Sequence, residues 1–304
     1  IPRAFSTPFG RRAADPKQAL SRSGLLVRKP GPLTLIQDLG RTGYFRQGLT
    51  VGGPADLLSF LWANRLCGNR ADTPALEIVI GGLTVEATED CQIALAGGDG
   101  DVQINGSPVR GWSSHQLRAG DLLDVGVSRR GTRSYLAVRG GFQVARLFDS
   151  AATVTREKLG GIDGSGEPLK AGDFLPCLAS TGEANFFLPP ENRPEIFANA
   201  PLRMVPGWQY LDLPKSLRKD FFARTFALTS QCDRMGFRLT GQPLNGHQAI
   251  TEGMVSEGII AGTVQIPPDG LPIVMMVDHQ TIGGYPKPGT VLRWDLSRLA
   301  QWRP

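Results

Sequence analysis

The feature that most constrains this chain is the shortness of its apolar runs. Leu25–Val27, Leu33–Ile36, Leu76–Ile80, Leu83–Val85, Ile93–Ala96, Val102–Ile104, Leu122–Val125 and Tyr135–Val138 are all of strand length, and Gly, Pro, Asn or Asp breaks each from the next. Runs of that length bounded by turn residues build antiparallel sheet rather than long helices. The 38 glycines and 23 prolines are spread between the runs with no fixed period, so they read as turns and not as a repeat. The second half continues the rhythm at Leu202–Val205, Thr225–Leu228, Arg238–Leu239, Gly262–Ile266 and Ile273–Val277.

Three segments break the pattern. Pro54–Cys67 sets Leu57, Leu58, Leu61 and Leu66 at helical spacing, with Asp56 at the positive end of the dipole and Gly68 suited to a left-handed cap. Shorter helices are predicted over Lys215–Ala223 and, with Asp295 as N-cap, over Asp295–Ala300. At 304 residues the chain has the size of two lobes, and the proline-rich stretch Glu183–Ala200 suits the boundary. The expectation is a tail over 1–24, a first β-barrel lobe over 25–190 and a second over 191–304.

Charge and composition exclude several functions. The formal charge is +5, but the basic residues are dispersed; Arg129, Arg130 and Arg133 form the densest group, in a glycine-bounded turn without interleaved aromatics. That is not a nucleic-acid surface. Cys67, Cys91, Cys177 and Cys232 make no CxxC pair, and His115, His247 and His279 show no HxH or HExxH spacing, so no metal site is expected. Unpaired cysteines fit a reducing, cytoplasmic setting. No apolar run approaches the roughly 20 residues that cross a bilayer. Arg3, Arg11, Arg12, Lys17 and Arg22 precede no apolar core, which reads as a tail and not a signal peptide.

Seven ordered motifs carry a resemblance. They are Pro30–Arg41 followed by Gly43 and Tyr44; Gly52–Asp56 leading to Asn64 and Asn69; Ala75–Ile78 with Gly81 and Gly82; Tyr135–Val138 with Gly140 and Gly141; Asp233–Gly236; Ser256–Gly258 running on to Val264–Gly270; and Asp278–Lys287. On these the chain resembles the KipA / 5-oxoprolinase C-subunit / allophanate hydrolase subunit 2 family over about residues 24–304. The resemblance implies a mainly β fold of two cyclophilin-like antiparallel β-barrel lobes with a few short helices, and kinship with the carboxyltransferase region of urea carboxylase. It implies a KipI / allophanate hydrolase subunit 1-like partner in a hetero-oligomer that uses ATP on a small lactam or urea-like amide. Two alternatives remain: a biotin-dependent carboxyltransferase unit for urea-like nitrogen, and a non-catalytic antagonist of a KipI-type kinase inhibitor. The chain departs from the family at His279, commonly Arg, at Pro288, commonly hydrophobic, and in a shorter run from Ser150 to Gly160.

Acting on such an amide requires charge to be stabilised on its oxygen while a base manages the nitrogen proton. Asp278–Lys287 offers the residue types: Asp278, Thr281, the bare amides of Gly283 and Gly284, Tyr285 and Lys287. The same residues also describe a β-hairpin whose Gly-Gly takes positive φ. Ser256 and Glu257 stand between apolar flanks, so Glu257 is either a buried general base or a turn carboxylate. Gln265 either binds an amide substrate or is an ordinary strand glutamine. Arg234 is either a bidentate clamp for an anion or one arm of an inter-lobe salt bridge. Gln37, Asp38, Arg41 and Gly52–Asp56 could face the same cleft, although turn roles suit them better. There is no Ala-Met-Lys-Met site for covalent biotin, no GxxxxGK[ST] phosphate loop and no Gly-Gly-Ser-Ser run. The ATP use that the resemblance implies therefore falls to the assembled complex. Catalytic roles are expected for Asp278, Glu257, Tyr285 and Lys287, and substrate contacts for Thr281, Gly283, Gly284, Gln265, Arg234 and Ser256.

Overall fold

A computed structural model describes residues 23–181, 185–246 and 254–304. Most of the expected tail, Glu183 and His247 lie outside the described residues. The expected tail extends to residue 24, yet Ser23 is buried and Gly24 already pairs with Pro176.

The first half is one antiparallel sheet. Its strands are β1 (Gly24–Pro30), β2 (Leu33–Gln37), β3 (Ala75–Val79), β4 (Leu83–Ala87), β5 (Cys91–Ile104), β6 (Ser107–Val109), β7 (Ser113–Leu117), β8 (Leu122–Val138) and β9 (Phe174–Pro176). The order is β2-β3-β8-β4-β1-β9, and β5 pairs with β8 while carrying β6 and β7. The four runs expected as separate strands, Ile93–Ala96 with Val102–Ile104 and Leu122–Val125 with Tyr135–Val138, are halves of two long strands. Arg129 and Arg130, expected in a turn, therefore lie within β8. Glycine bends these strands instead of ending them. The β5–β8 register slips between Gly97 and Val102, and a Cβ at Gly126 would sit 2.8 Å from the Asp101 carbonyl oxygen, so only a bare backbone allows the approach.

Period-two alternation sorts the side chains. Leu76 and Ile78 of β3, and Leu136 and Val138 of β8, point into a core shared with Leu25, Val85 and Ile93. Ala75 and Glu77, with Tyr135 and Ala137, take the opposite face. Helix α1 (Leu57–Leu66) covers that face with Phe60, Ala63 and Leu66, inside the span read from helical spacing. Its N-cap is Asp56, whose carboxylate accepts from Ser59 N at 3.1 Å and from Ser59 Oγ, and Gly68 follows it in the left-handed conformation (φ 71°).

The second sheet contains β10 (Met204–Pro206), β11 (Ala227–Cys232), β12 (Gly236–Thr240), β14 (Thr263–Gln265), β15 (Ile273–Met275) and β17 (Gly289–Val291), in the order β10-β17-β14-β15-β12-β11. Strands β13 (Glu257–Gly258) and β16 (Ile282–Gly283) make a separate two-stranded ribbon. Helix α2 spans Lys215–Ala223, as its spacing predicts. Helix α3 (Arg293–Leu299) packs Leu296 and Leu299 on Phe237, Val264 and Val274. Its N-cap is Leu292 and not Asp295. The helix begins at Arg293, so Asp295 sits inside its first turn, where the carboxylate accepts from Arg203 N at 2.6 Å and Arg203 Nη2 at 2.8 Å. The two large sheets share no strand.

Candidate functional site

The sheets are tied together by buried charge. Arg234 follows Asp233, whose carboxylate caps the turn between β11 and β12 by accepting from Met235 N at 2.8 Å and Gly236 N at 3.1 Å. The Arg234 guanidinium donates to Asp278 through Nε (2.8 Å) and Nη2 (2.9 Å), to Glu77 Oε1 through Nη1 (2.6 Å) and to the Gly53 carbonyl through Nη2 (2.7 Å). Glu77 faces it because β3 alternation turns residue 77 away from the first core. Cross-strand pairing with Tyr135 then brings that hydroxyl to 2.6 Å from Glu77 Oε2, while Ala55 N donates at 2.9 Å. Burial pulls the Glu77 carboxyl upward, but Arg234, Arg133 and these hydrogen bonds hold it below the usual carboxylate range. Arg234 is held protonated by Asp278 and Glu77 despite its burial. Of the two readings of Arg234, these contacts describe the bridge between sheets, and Asp278 is its partner.

Eight of the expected site residues gather toward the other end of the 278–287 segment. Register pairs Glu257 with Gly283. Lys287 Nζ lies 3.4 Å from Glu257 Oε2 and donates to the carbonyl oxygens of Tyr285 (3.0 Å) and Gly283 (3.4 Å). Gln209 completes the group: its Nε2 donates to Glu257 Oε2 at 3.0 Å and its Oε1 accepts from Lys287 N at 2.8 Å. Gln265, fully enclosed, brings an Nε2 without a hydrogen-bond partner against Gly283. Gly284 faces Ser256, whose Oγ would lie 3.1 Å from an added Cβ. Thr281 contributes its carbonyl to Ile259 N at 3.1 Å. Neither Gly283 nor Gly284 has positive φ, contrary to the hairpin reading. What these positions need is the absence of a side chain, since Cβ at Gly283 would strike the Gln265 amide.

Glu257, open in the sequence between a buried general base and a turn carboxylate, has a side chain 32% exposed and is held by the ion pair with Lys287, 10% exposed. Close in sequence to Gln209, Glu257 and Lys287, the side chains of Trp208, Leu211, Val255, Ile282 and Tyr285 all leave large apolar surface in solvent. In the first sheet, Gln37 donates to the Thr153 carbonyl, Asp38 accepts from Gly40 N, Ser150 Oγ and Ala151 N, and Arg41 donates to the Ala152 carbonyl. Those are turn-fixing contacts. Sequence reading missed Gln209, which stands in no recognisable motif. It also missed Glu77 and Tyr135, although an acid inside the apolar run Ala75–Val79 is a signal of buried pairing.

A model of the carboxyltransferase domain, subdomain A and B, matches residues 47–304. This chain belongs to the carboxyltransferase-domain family. It is 35% identical over 279 residues to the C-subunit of 5-oxoprolinase from Escherichia coli K12, covering 91% of this chain and 87% of that protein. Among solved structures, TTHA0988 superposes with a TM-score of 0.81 at 33% identity, over 93% of this chain and 54% of that one, so this carboxyltransferase-family chain spans about half of it. The Kluyveromyces lactis urea carboxylase superposes with a TM-score of 0.79 at 26% identity, over 92% of this chain and 26% of that one. No helix among the described residues of this family member is long and apolar enough to cross a membrane.

Proposed function

We propose that this chain is one subunit of an ATP-dependent amidohydrolase of the 5-oxoprolinase type, acting on a small lactam or urea-like amide beside a KipI / subunit 1-like partner. The observation that carries the reading is the acid–ammonium pair Glu257–Lys287, positioned by Gln209 and set beside the unpartnered Gln265 amide at Gly283. A lactam presents a carbonyl oxygen and an N–H on one edge. Lys287 and Gln265 supply donors for the oxygen as charge develops on it, and Glu257 accepts and returns the nitrogen proton. The Tyr285 carbonyl orients the ammonium. Arg234 and Asp278 serve the site at one remove, by fixing the segment that leads into it. The relationship to a 5-oxoprolinase component, which runs over nearly the whole of both chains, supports this substrate class.

One ammonium is too little cationic surface for a triphosphate, so the nucleotide does not fit this site and is assigned elsewhere in the complex. No step of this chain's residues runs through it. The exposed apolar side chains close in sequence to Gln209 and the pair suit a protein partner that covers the site and excludes water. The test is to reconstitute the chain with its partner and the third component and to follow ATP-dependent conversion of 5-oxoproline to glutamate. Glu257→Gln and Lys287→Met each lower turnover by about a hundredfold or more while the complex still assembles; absence of turnover by the complete wild-type complex rejects the reading.

The match to the carboxyltransferase model favours a second reading, transfer of a carboxyl group to a urea-like nitrogen from a biotin carried by another protein. Carboxylation of urea by a biotinylated carrier in the presence of this chain would replace the first reading with this one.

A further inference from the structure

Between the two sheets lies a cavity of about 610 Å³ that none of Glu257, Lys287, Gln209 or Gln265 lines. Leu39, Phe45 and Leu57 wall it from the first half, and Ile260, Val277 and Leu296 from the second. Two polar groups of different character meet this apolar surface. His279 lines the wall and is only 2% exposed. Its Nδ1 lies 2.6 Å from the Gln280 carbonyl oxygen, an acceptor, so Nδ1 carries the proton and Nε2 is left as a lone pair without a hydrogen-bond partner. At the rim stands Arg293, exposed and without an ion-pair partner among the described residues.

A half-open, largely apolar cleft of this size with a few directed polar groups is the form of a small-molecule site. The Nε2 lone pair has no protein donor, and a ligand N–H or O–H supplies one. A cation at the mouth selects a carboxylate left in contact with water. We propose that the cavity binds a small amphipathic monocarboxylate: an aliphatic body inside, one N–H or O–H donated to His279 Nε2, and the carboxylate on Arg293. N-acylated aliphatic amino acids have this chemistry. The site is separate from the Glu257–Lys287 pair and does not depend on the function assigned to that pair.

Calorimetric or NMR titration of the purified chain with three probes tests it. N-acetyl-leucine carries all three features, 4-methylpentanoate lacks the N–H, and N-acetyl-leucine amide lacks the charge. N-acetyl-leucine saturates one site. Loss of the N–H weakens binding about five- to tenfold, and loss of the charge about two- to fivefold. The first difference disappears in His279→Phe and the second in Arg293→Ala. The three probes rank the same way on the unmodified chain even if a variant does not fold. Absence of saturable binding, or a preference for the N–H probe that survives in folded His279→Phe, overturns the proposal.

Discussion

Arg234 shows how one side chain can be read correctly as a type and still be placed only by the fold. A guanidinium with three acceptor groups around it, two of them carboxylates from the two halves of the chain, holds a position that no neutral side chain fills alone. Arg234→Met leaves Glu77 and Asp278 buried and unpaired and destabilises the chain by about 3–5 kcal/mol, measured by denaturant unfolding. Replacing Glu77 and Asp278 by apolar residues in the same variant recovers most of that loss, because uncompensated charge and not lost attraction is the cause. If the single variant unfolds at the wild-type midpoint, the cluster is not what joins the sheets. Lys287 behaves differently. Its ammonium is shared by Glu257 and two carbonyls, so Lys287→Arg, with a planar fork, does not restore turnover to the reconstituted complex.

At the scale of the element, the ribbon of β13 and β16 matters more than its length suggests. Two residues per strand give it little stability of its own. Its register is fixed by Gly283 lying against Gln265, and this contact allows a direct measurement. Gly283→Ala overpacks the Gln265 amide and costs about 1–3 kcal/mol; Gly283→Ala with Gln265→Ala regains most of it, and the cycle gives the coupling between them. Additive single effects would show that the two positions do not touch. Helix α1 is the opposite case: its cap, its apolar face and its terminal glycine are all local, and the structure sets it within the span the spacing predicts.

For the molecule as a whole, acid is the sharpest probe of the joined sheets. Glu77 has a folded pKa below its unfolded one, so its contribution is fully present above the ordinary glutamate range and is lost as pH falls through the depressed folded value. The stability gap between wild type and Glu77→Gln therefore narrows across that acid window, in denaturant midpoints taken at stepped pH; a gap that stays constant rules out Glu77 as the titrating group. The exposed apolar surface makes a second whole-molecule prediction. Trp208, 71% exposed, is free in the isolated chain, so Trp208→Arg leaves unfolding unchanged within about 0.5 kcal/mol. The same variant weakens co-purification with the subunit 1-like partner; unimpaired assembly would place the partner on another face.

The mainly β class, the three helices and the residues of the ribbon site are legible in the chain because each rests on local chemistry: turn residues at the ends of short apolar runs, capping groups, and carboxylate, glycine and lysine within a few positions. Bent strands are harder. Glycine ends a strand or lets two backbones approach, and only the neighbouring strand decides which; that is why β5 and β8 read as four pieces. Roles that depend on what crosses from the other sheet are beyond local reading. Glu77 lies 157 residues from Arg234, and Gln209 lies 48 from Glu257. Asp278 and Glu257 are both acids at strand ends, and sequence alone makes both candidate catalysts. Tertiary packing separates them: one carboxylate is buried against Arg234, while the other stands half-open beside Lys287.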